Sequence, residues 1–168
     1  HTRHQLTGSG LADIFSTSGL DVQCDINQTS SAQSTISSCR FLISSTTSPC
    51  SVDIVHGDQP GHVSVWGQVL PVTSLEEFVS ANVDPALGLT CHAVDDDTIT
   101  IEITQRDAER FILIESSLNS FTITTSNVTS CSGACGTCQG PQTAPRPDTF
   151  AVMPFRAIQH QRRCPQSS

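Results

Sequence analysis

The segment Thr98-Ile-Thr-Ile-Glu-Ile-Thr104 alternates polar and apolar residues without a break. Successive side chains on a strand point to opposite faces, so this segment reads as a strand with one face on a core and the other in water. Such a strand needs a second layer to cover its apolar face. Two more segments follow it. Arg110-Phe-Ile-Leu-Ile-Glu115 is a short apolar run, the pattern of a strand buried on both faces, and Ser120-Phe-Thr-Ile-Thr-Thr125 alternates again. Short polar stretches at 107–109 and 116–119 separate the three, which predicts an antiparallel meander.

The same periodicity recurs upstream. Leu20-Asp-Val-Gln-Cys-Asp-Ile26 places Cys24 on one face with Leu20, Val22 and Ile26. Cys39-Arg-Phe-Leu-Ile43 and Ser51-Val-Asp-Ile-Val55 continue the pattern, and His62 to Leu70 is the longest strand candidate. Gly67 inside it signals a bulge or a tight hairpin. One helix is expected. Ser74-Leu-Glu-Glu77 has the form of a capping box, Leu75, Phe78 and Val79 supply an apolar side, and 82–85 should end it. The expected fold class is all-β: a disulfide-stapled antiparallel β-sandwich with one short helix. It would occupy residues 1–155, with 156–168 as a disulfide-anchored C-terminal tail.

Eight cysteines in 168 residues, in a chain a quarter of which is Ser and Thr, suit an oxidising compartment. Two glycosylation sequons agree, at Asn27-Gln-Thr29 and Asn127-Val-Thr129. A secreted, extracellular glycoprotein is the expectation. The net charge is −8, there is no lysine, and the arginines are spread thinly. Nucleic-acid binding needs a basic face and none is visible. No stretch is long and apolar enough for a membrane helix, so membrane insertion is not expected. Arg162-Arg163 reads as a solvated tail, or as a processing site.

Cys131-Ser-Gly-Ala-Cys135-Gly-Thr-Cys138 packs three cysteines into eight residues. Structural disulfides are the favoured reading, drawing on Cys24, Cys39, Cys50, Cys91, Cys131, Cys135, Cys138 and Cys164. Eight cysteines admit too many pairings for sequence to choose among them. Zinc is a rival reading, since His160-x3-Cys164 adds ligands at plausible spacing, but a secreted protein would oxidise those thiols. Cys135-Gly-Thr-Cys138 is also a CxxC, yet Gln139-Gly140-Pro141 is a poor helix start and would not activate a thiolate. Intermolecular disulfides, and with them a homo-oligomer, stay open.

The same stretch carries a family resemblance. Cys131-Ser-Gly133-Ala-Cys135-Gly136-Thr-Cys138-Gln-Gly140, followed by Asp148-Thr-Phe150, resembles the ending of von Willebrand factor type D domains, with one residue inserted between the first two cysteines. His62-Val-Ser-Val-Trp-Gly67-Gln68-Val-Leu-Pro71 is similar to that family's Val-x-Val-Asn-Gly-Gln strand pair, and His1 to Gly8 to its opening segment. The resemblance implies an extracellular β-sandwich. In calcium-binding members Asn and Asp oxygens surround the final motif. Here Thr137, Gln139 and Pro141 stand there, so no metal is expected and Asp148 is the one calcium candidate left. Cys138 departs from the family pattern, and a pair with Cys164 in the tail is the expectation for it.

Elsewhere the residues are bland. Asp95-Asp96-Asp97 could supply oxygen ligands to calcium, but a solvated turn is the favoured reading. The six histidines show no His-x-His or HExxH spacing, and neither a nucleophile elbow nor a phosphate loop is present. Trp66, the sole Trp, is expected inside a central strand, with a binding hot spot as the alternative. The chain is therefore read as no enzyme, without cofactor: an extracellular module for protein–protein interaction, assembly or adhesion. Its partners would be extracellular proteins. The alternative is a secreted ligand or inhibitor presenting the proline-rich loop 139–147.

Overall fold

Two antiparallel sheets stack on the apolar faces that the alternation marks out. The computed structural model describes residues 10–30, 33–45, 50–57, 59–105, 109–117, 121–126, 131–132 and 162–165. The larger sheet takes β1 (Gly10–Thr17), β2 (Leu20–Ser30), β3 (Gln33–Ser44), β4 (Cys50–His56), β5 (His62–Val65) and β6 (Gln68–Pro71) in chain order. The smaller is a meander of β7 (Leu89–Ala93), β8 (Ile99–Gln105), β9 (Arg110–Ser116) and β10 (Phe121–Ser126). The chain then returns to the larger sheet, where β11 (Cys131–Ser132) lies outside β1 and β12 (Arg162–Arg163) runs parallel to β4.

The inward phase of each strand is the one its alternation predicts. Leu20, Val22, Cys24 and Ile26 on β2 face Ile43, Phe41, Cys39 and Ile36 on β3, and Val52, Ile54 and His56 continue the layer on β4. From the smaller sheet come Ile99, Ile101 and Ile103 on β8 and Ile112 and Ile114 on β9. Buried together, these side chains form one core between the layers. Each fully buried one stabilises by about 1.5–3 kcal/mol relative to exposure.

Three local expectations need correction, and of the two readings of Gly67 the tight hairpin holds. β9 is not buried on both faces: Ile112 and Ile114 point inward, while Phe111 and Leu113 are half-exposed. Their cross-strand neighbours on the outer face are Thr104, Ser126, Glu102 and Thr124, a polar surface. The segment from His62 to Leu70 is two strands joined at Trp66 and Gly67, whose φ values of 52° and 80° are those of a two-residue type I′ hairpin. Trp66 is thus at a turn rather than inside a central strand. The capping box does not form either. A 3₁₀ turn over Val72–Ser74 runs into α1 (Leu75–Asn82), so Ser74 is already helical (φ −95°, ψ −5°) and its side chain makes no cap bond.

Helix α1 packs on β7 with Leu75 and Val79 buried. Their spacing of four residues puts both on one helix face. After the helix, Asp84 accepts a hydrogen bond from Ala86 N (3.0 Å) and caps a second 3₁₀ turn, Pro85–Leu87. Gly88 ends that turn at φ 73°, where a Cβ would stand 2.0 Å from Thr104 O. Only glycine allows this approach of the β7 entry to β8.

Candidate functional site

The hairpin tip gathers the groups best suited to contact another molecule. Trp66 occupies the first turn position. A bulky side chain at positive φ is a strained conformation, and such strain persists only when surrounding contacts hold it. Those contacts are present. Trp66 Nε1–H donates to Ser51 O (2.9 Å), and the ring meets Phe78 edge-on at 6.5 Å between centroids. The guanidinium of Arg163 lies 5.3 Å above the ring, and its Nη2 donates to Trp66 O (3.3 Å). Stacking of this kind contributes about 0.5–1 kcal/mol at an exposed site.

Arg163 comes from β12, 97 residues after Trp66, so something must hold it there. A disulfide joins Cys50, at the start of β4, to Cys164. Cys164 O also accepts from Asp84 N (3.0 Å), and Pro165 bridges to Val83. The dibasic pair is therefore built into the larger sheet and is not a loose tail. Arg163, Gly67 and Gln68 remain exposed, Trp66 is half-buried, and Val69 on the sheet's terminal strand β6 is 53% exposed.

Neither a known protein family nor a curated protein matches this chain by sequence. The site is accordingly argued from its own geometry.

Two further polar pairs involve β4, and Asp53 of the second also touches the hairpin, its carbonyl accepting from Trp66 N (2.9 Å). His56 Nδ1 sits 2.8 Å from Ser116 Oγ with both residues 2% exposed, and the ring also hydrogen-bonds the main chain of Asp97. Serine and histidine meet inside the core, while Asp97 is an exposed turn residue whose main chain reaches the ring; a triad is defined by geometry and reach, not by the residue types present. Burial lowers the His56 pKa, against the opposing pull of the Asp97 charge and main chain. On the outer face of the larger sheet, Arg40 Nε pairs with Asp53 Oδ1 at 3.1 Å. Burial raises the Asp53 pKa more than the arginine lowers it.

The cysteine expectations divide. Cys24 and Cys39 are bonded directly across β2 and β3, with Cα atoms 4.0 Å apart. The expected Cys138–Cys164 pair is replaced by Cys50–Cys164, because β12 runs beside β4 and brings those two sulfurs together. Cys91 is a correction too: it is a thiol, 1% exposed, opposite Ile101 in the core. Burial pushes its pKa up to about 12. Cys131 starts β11 opposite Thr17. Cys135, Cys138, Asn127, Asp148, His160 and the loop 139–147 lie outside the described residues.

Asn27 is exposed on β2, next to inward-facing Ile26. Asp95, Asp96 and Asp97 form the β7–β8 turn, with Asp97 N donating to Asp95 Oδ1 (2.8 Å), and all three are exposed as expected of a solvated turn. Among the described residues no cluster of His, Cys, Asp or Glu could hold a metal ion. Among the described residues no helix is long and apolar enough to cross a membrane. Sequence reasoning missed Arg163 and Val69. The signal for Val69 was its place on the outward phase of the Gln68–Pro71 strand. For Arg163 there was none, since a parallel pairing over this distance in sequence leaves no local pattern.

Proposed function

We propose that the protein is a non-enzymatic extracellular module that binds another protein through the β5–β6 hairpin, with Trp66, Val69 and Arg163 as the contact. The observation that carries this reading is Trp66 itself. It is held in a left-handed turn conformation by Ser51, Phe78 and Arg163, beside an exposed valine on a sheet's terminal strand. Tryptophan and arginine dominate binding hot spots, and a rigid hairpin loses little entropy on binding. The two disulfides and the exposed Asn27 sequon suit secretion. The divergent type D likeness agrees with an assembly or adhesion role, and it makes the hairpin the chain's counterpart of that family's Asn-Gly strand pair.

Proximity labelling of the secreted chain in its own tissue tests the reading. Val69→Asp and Arg163→Ala should each remove a defined set of extracellular neighbours while the thermal midpoint stays within a few degrees. Labelling that these variants leave unchanged would sink the hairpin as the contact.

A further inference from the structure

Most ends of the two sheets carry a device that hinders further pairing. On the larger sheet, β6 is four residues long and closes on Pro71, which has no N–H to donate. At the other end, β1 is bulged between Asp13 and Phe15, and β11 lies along it. On the smaller sheet, helix α1 packs on β7. Native sheets blunt their edges in such ways because an open edge is a template for another strand.

β10 is the exception. Phe121-Thr-Ile-Thr-Thr-Ser126 contains no proline, glycine or charged residue, and its register with β9 runs unbroken along its length. Among the described residues nothing pairs with its outer side. Thr122, Thr124, Thr125 and Ser126 are exposed. Thr125 is exposed although it lies opposite inward-facing Ile112, and Ile123, opposite Ile114, is only half-buried. The core is thus open at this edge, where one more strand would cover Ile123 and Thr125.

We propose that the added strand is β10 of a second copy, pairing antiparallel about a two-fold axis so that the two smaller sheets become one. Charge favours that occupant. The chain carries −8, so two copies repel, and they approach with least repulsion along an edge that bears no charge. A basic partner would be drawn to the acidic faces instead. The strand is also complementary to itself. Residues opposite each other across a sheet share a face, so the axis must fall at a residue. Placed at Ile123, it sets Ile123 against its own copy and Thr122 against Thr124 of the other, twice. Threonine pairs across strands are among the favourable ones. A two-fold contact of this kind closes on itself and builds no fibre.

The dimer goes beyond the hairpin reading, since Trp66, Val69 and Arg163 belong to the larger sheet and take no part in it. A strand-to-strand contact is at the low end of interface sizes, so the dimer is weak and reversible. Sedimentation velocity of the full chain, from dilute to concentrated solution, should show the mass rising from one chain to two. Thr122→Lys with Thr124→Lys puts like charges across the axis. It should hold the chain monomeric throughout, although it lowers the net negative charge that drives copies apart. Thr122→Lys with Thr124→Glu puts opposite charges in the same places and should restore the dimer. Both positions are exposed, so the thermal midpoints of the two variants should stay close to that of the parent chain. Val69→Asp should leave the dimer unchanged. A parent chain that stays monomeric overturns the proposal, as does growth past two chains. So does a dimer that survives the two lysines, that the lysine–glutamate variant fails to restore, or that Val69→Asp abolishes.

Discussion

His56 Nδ1 lies 2.8 Å from the hydroxyl of Ser116, and this buried bond ties β4 of one sheet to β9 of the other. A second polar tie crosses at Arg110, whose Nη2 donates to Thr17 Oγ1 (3.3 Å), but it is only partly buried. The His56 pair therefore governs how the layers respond to acid. Its pKa in the fold lies below the ordinary 6.5, chiefly through burial, with Asp97 pulling the other way. The unfolded chain then takes up a proton first as pH falls. Stability is complete above about pH 6.5 and declines as pH drops toward the folded pKa. Thermal melts from pH 8 to 5 should show this decline, and His56→Phe should flatten it. Ser116→Ala removes the partner of His56 Nδ1 in the core and should cost about 1–3 kcal/mol at pH 7.5.

Gly88 and Gly67 make a matched pair of tests. Both have positive φ, but a Cβ at Gly88 would meet Thr104 O at 2.0 Å, while at Gly67 it would meet nothing within 4 Å. Gly67→Ala carries only the conformational penalty, about 1–2 kcal/mol. Gly88→Ala adds a backbone clash and should lose on the order of 4 kcal/mol, the size reserved for severe local disruption. Urea denaturation of the two variants decides. Equal losses would mean that the β7 entry can move away from β8 freely.

Arg40 and Asp53 predict a different pattern. Removing one charge of a buried pair strands the other, whereas replacing both can be neutral. The Asp53 side chain is 9% exposed and that of Arg40 is 26% exposed, so the penalty is moderated by water. Asp53→Ala alone should cost about 2 kcal/mol, and the double variant Arg40→Met with Asp53→Leu should cost less than that single change. A double-mutant cycle by chemical denaturation measures it.

Much of this architecture is legible in the chain, and the limits are physical. Period-two patterning is local, so the inward phases of β2, β3, β4, β8 and β9 follow from sequence, as does the meander at 98–126. The same phase places His56 in line with Val52 and Ile54, inside the core. Pairing of distant cysteines is not local. Cys24 meets Cys39 because Leu20, Val22 and Ile43, Phe41 set the hairpin register, but Cys50 meets Cys164 only through β12, 114 residues on. At the β5–β6 hairpin, Gly67 announced the turn. Nothing local told that Trp66 would take the left-handed position, since its anchors Ser51, Phe78 and Arg163 belong to three other elements.

Those anchors make Trp66 a reporter of the C-terminal strand. It is the sole tryptophan, so its emission follows one environment. Arg163 covers its face, and the Cys50–Cys164 bond holds Arg163 in place. Breaking that bond with Cys50→Ser and Cys164→Ser frees β12 from β4 and lets water onto the ring, which should shift the emission to longer wavelength. In the chain-entropy account, losing a loop of this length also costs about 4–5 kcal/mol, against about 3 for Cys24→Ser with Cys39→Ser. The two double variants separate the effects. Removing Cys24 and Cys39 should lower the denaturation midpoint while the native emission stays where it was. If the Cys50/Cys164 variant also keeps its native emission, the strand holds itself by pairing alone, through Arg162 opposite Cys50 and Arg163 opposite Ser51.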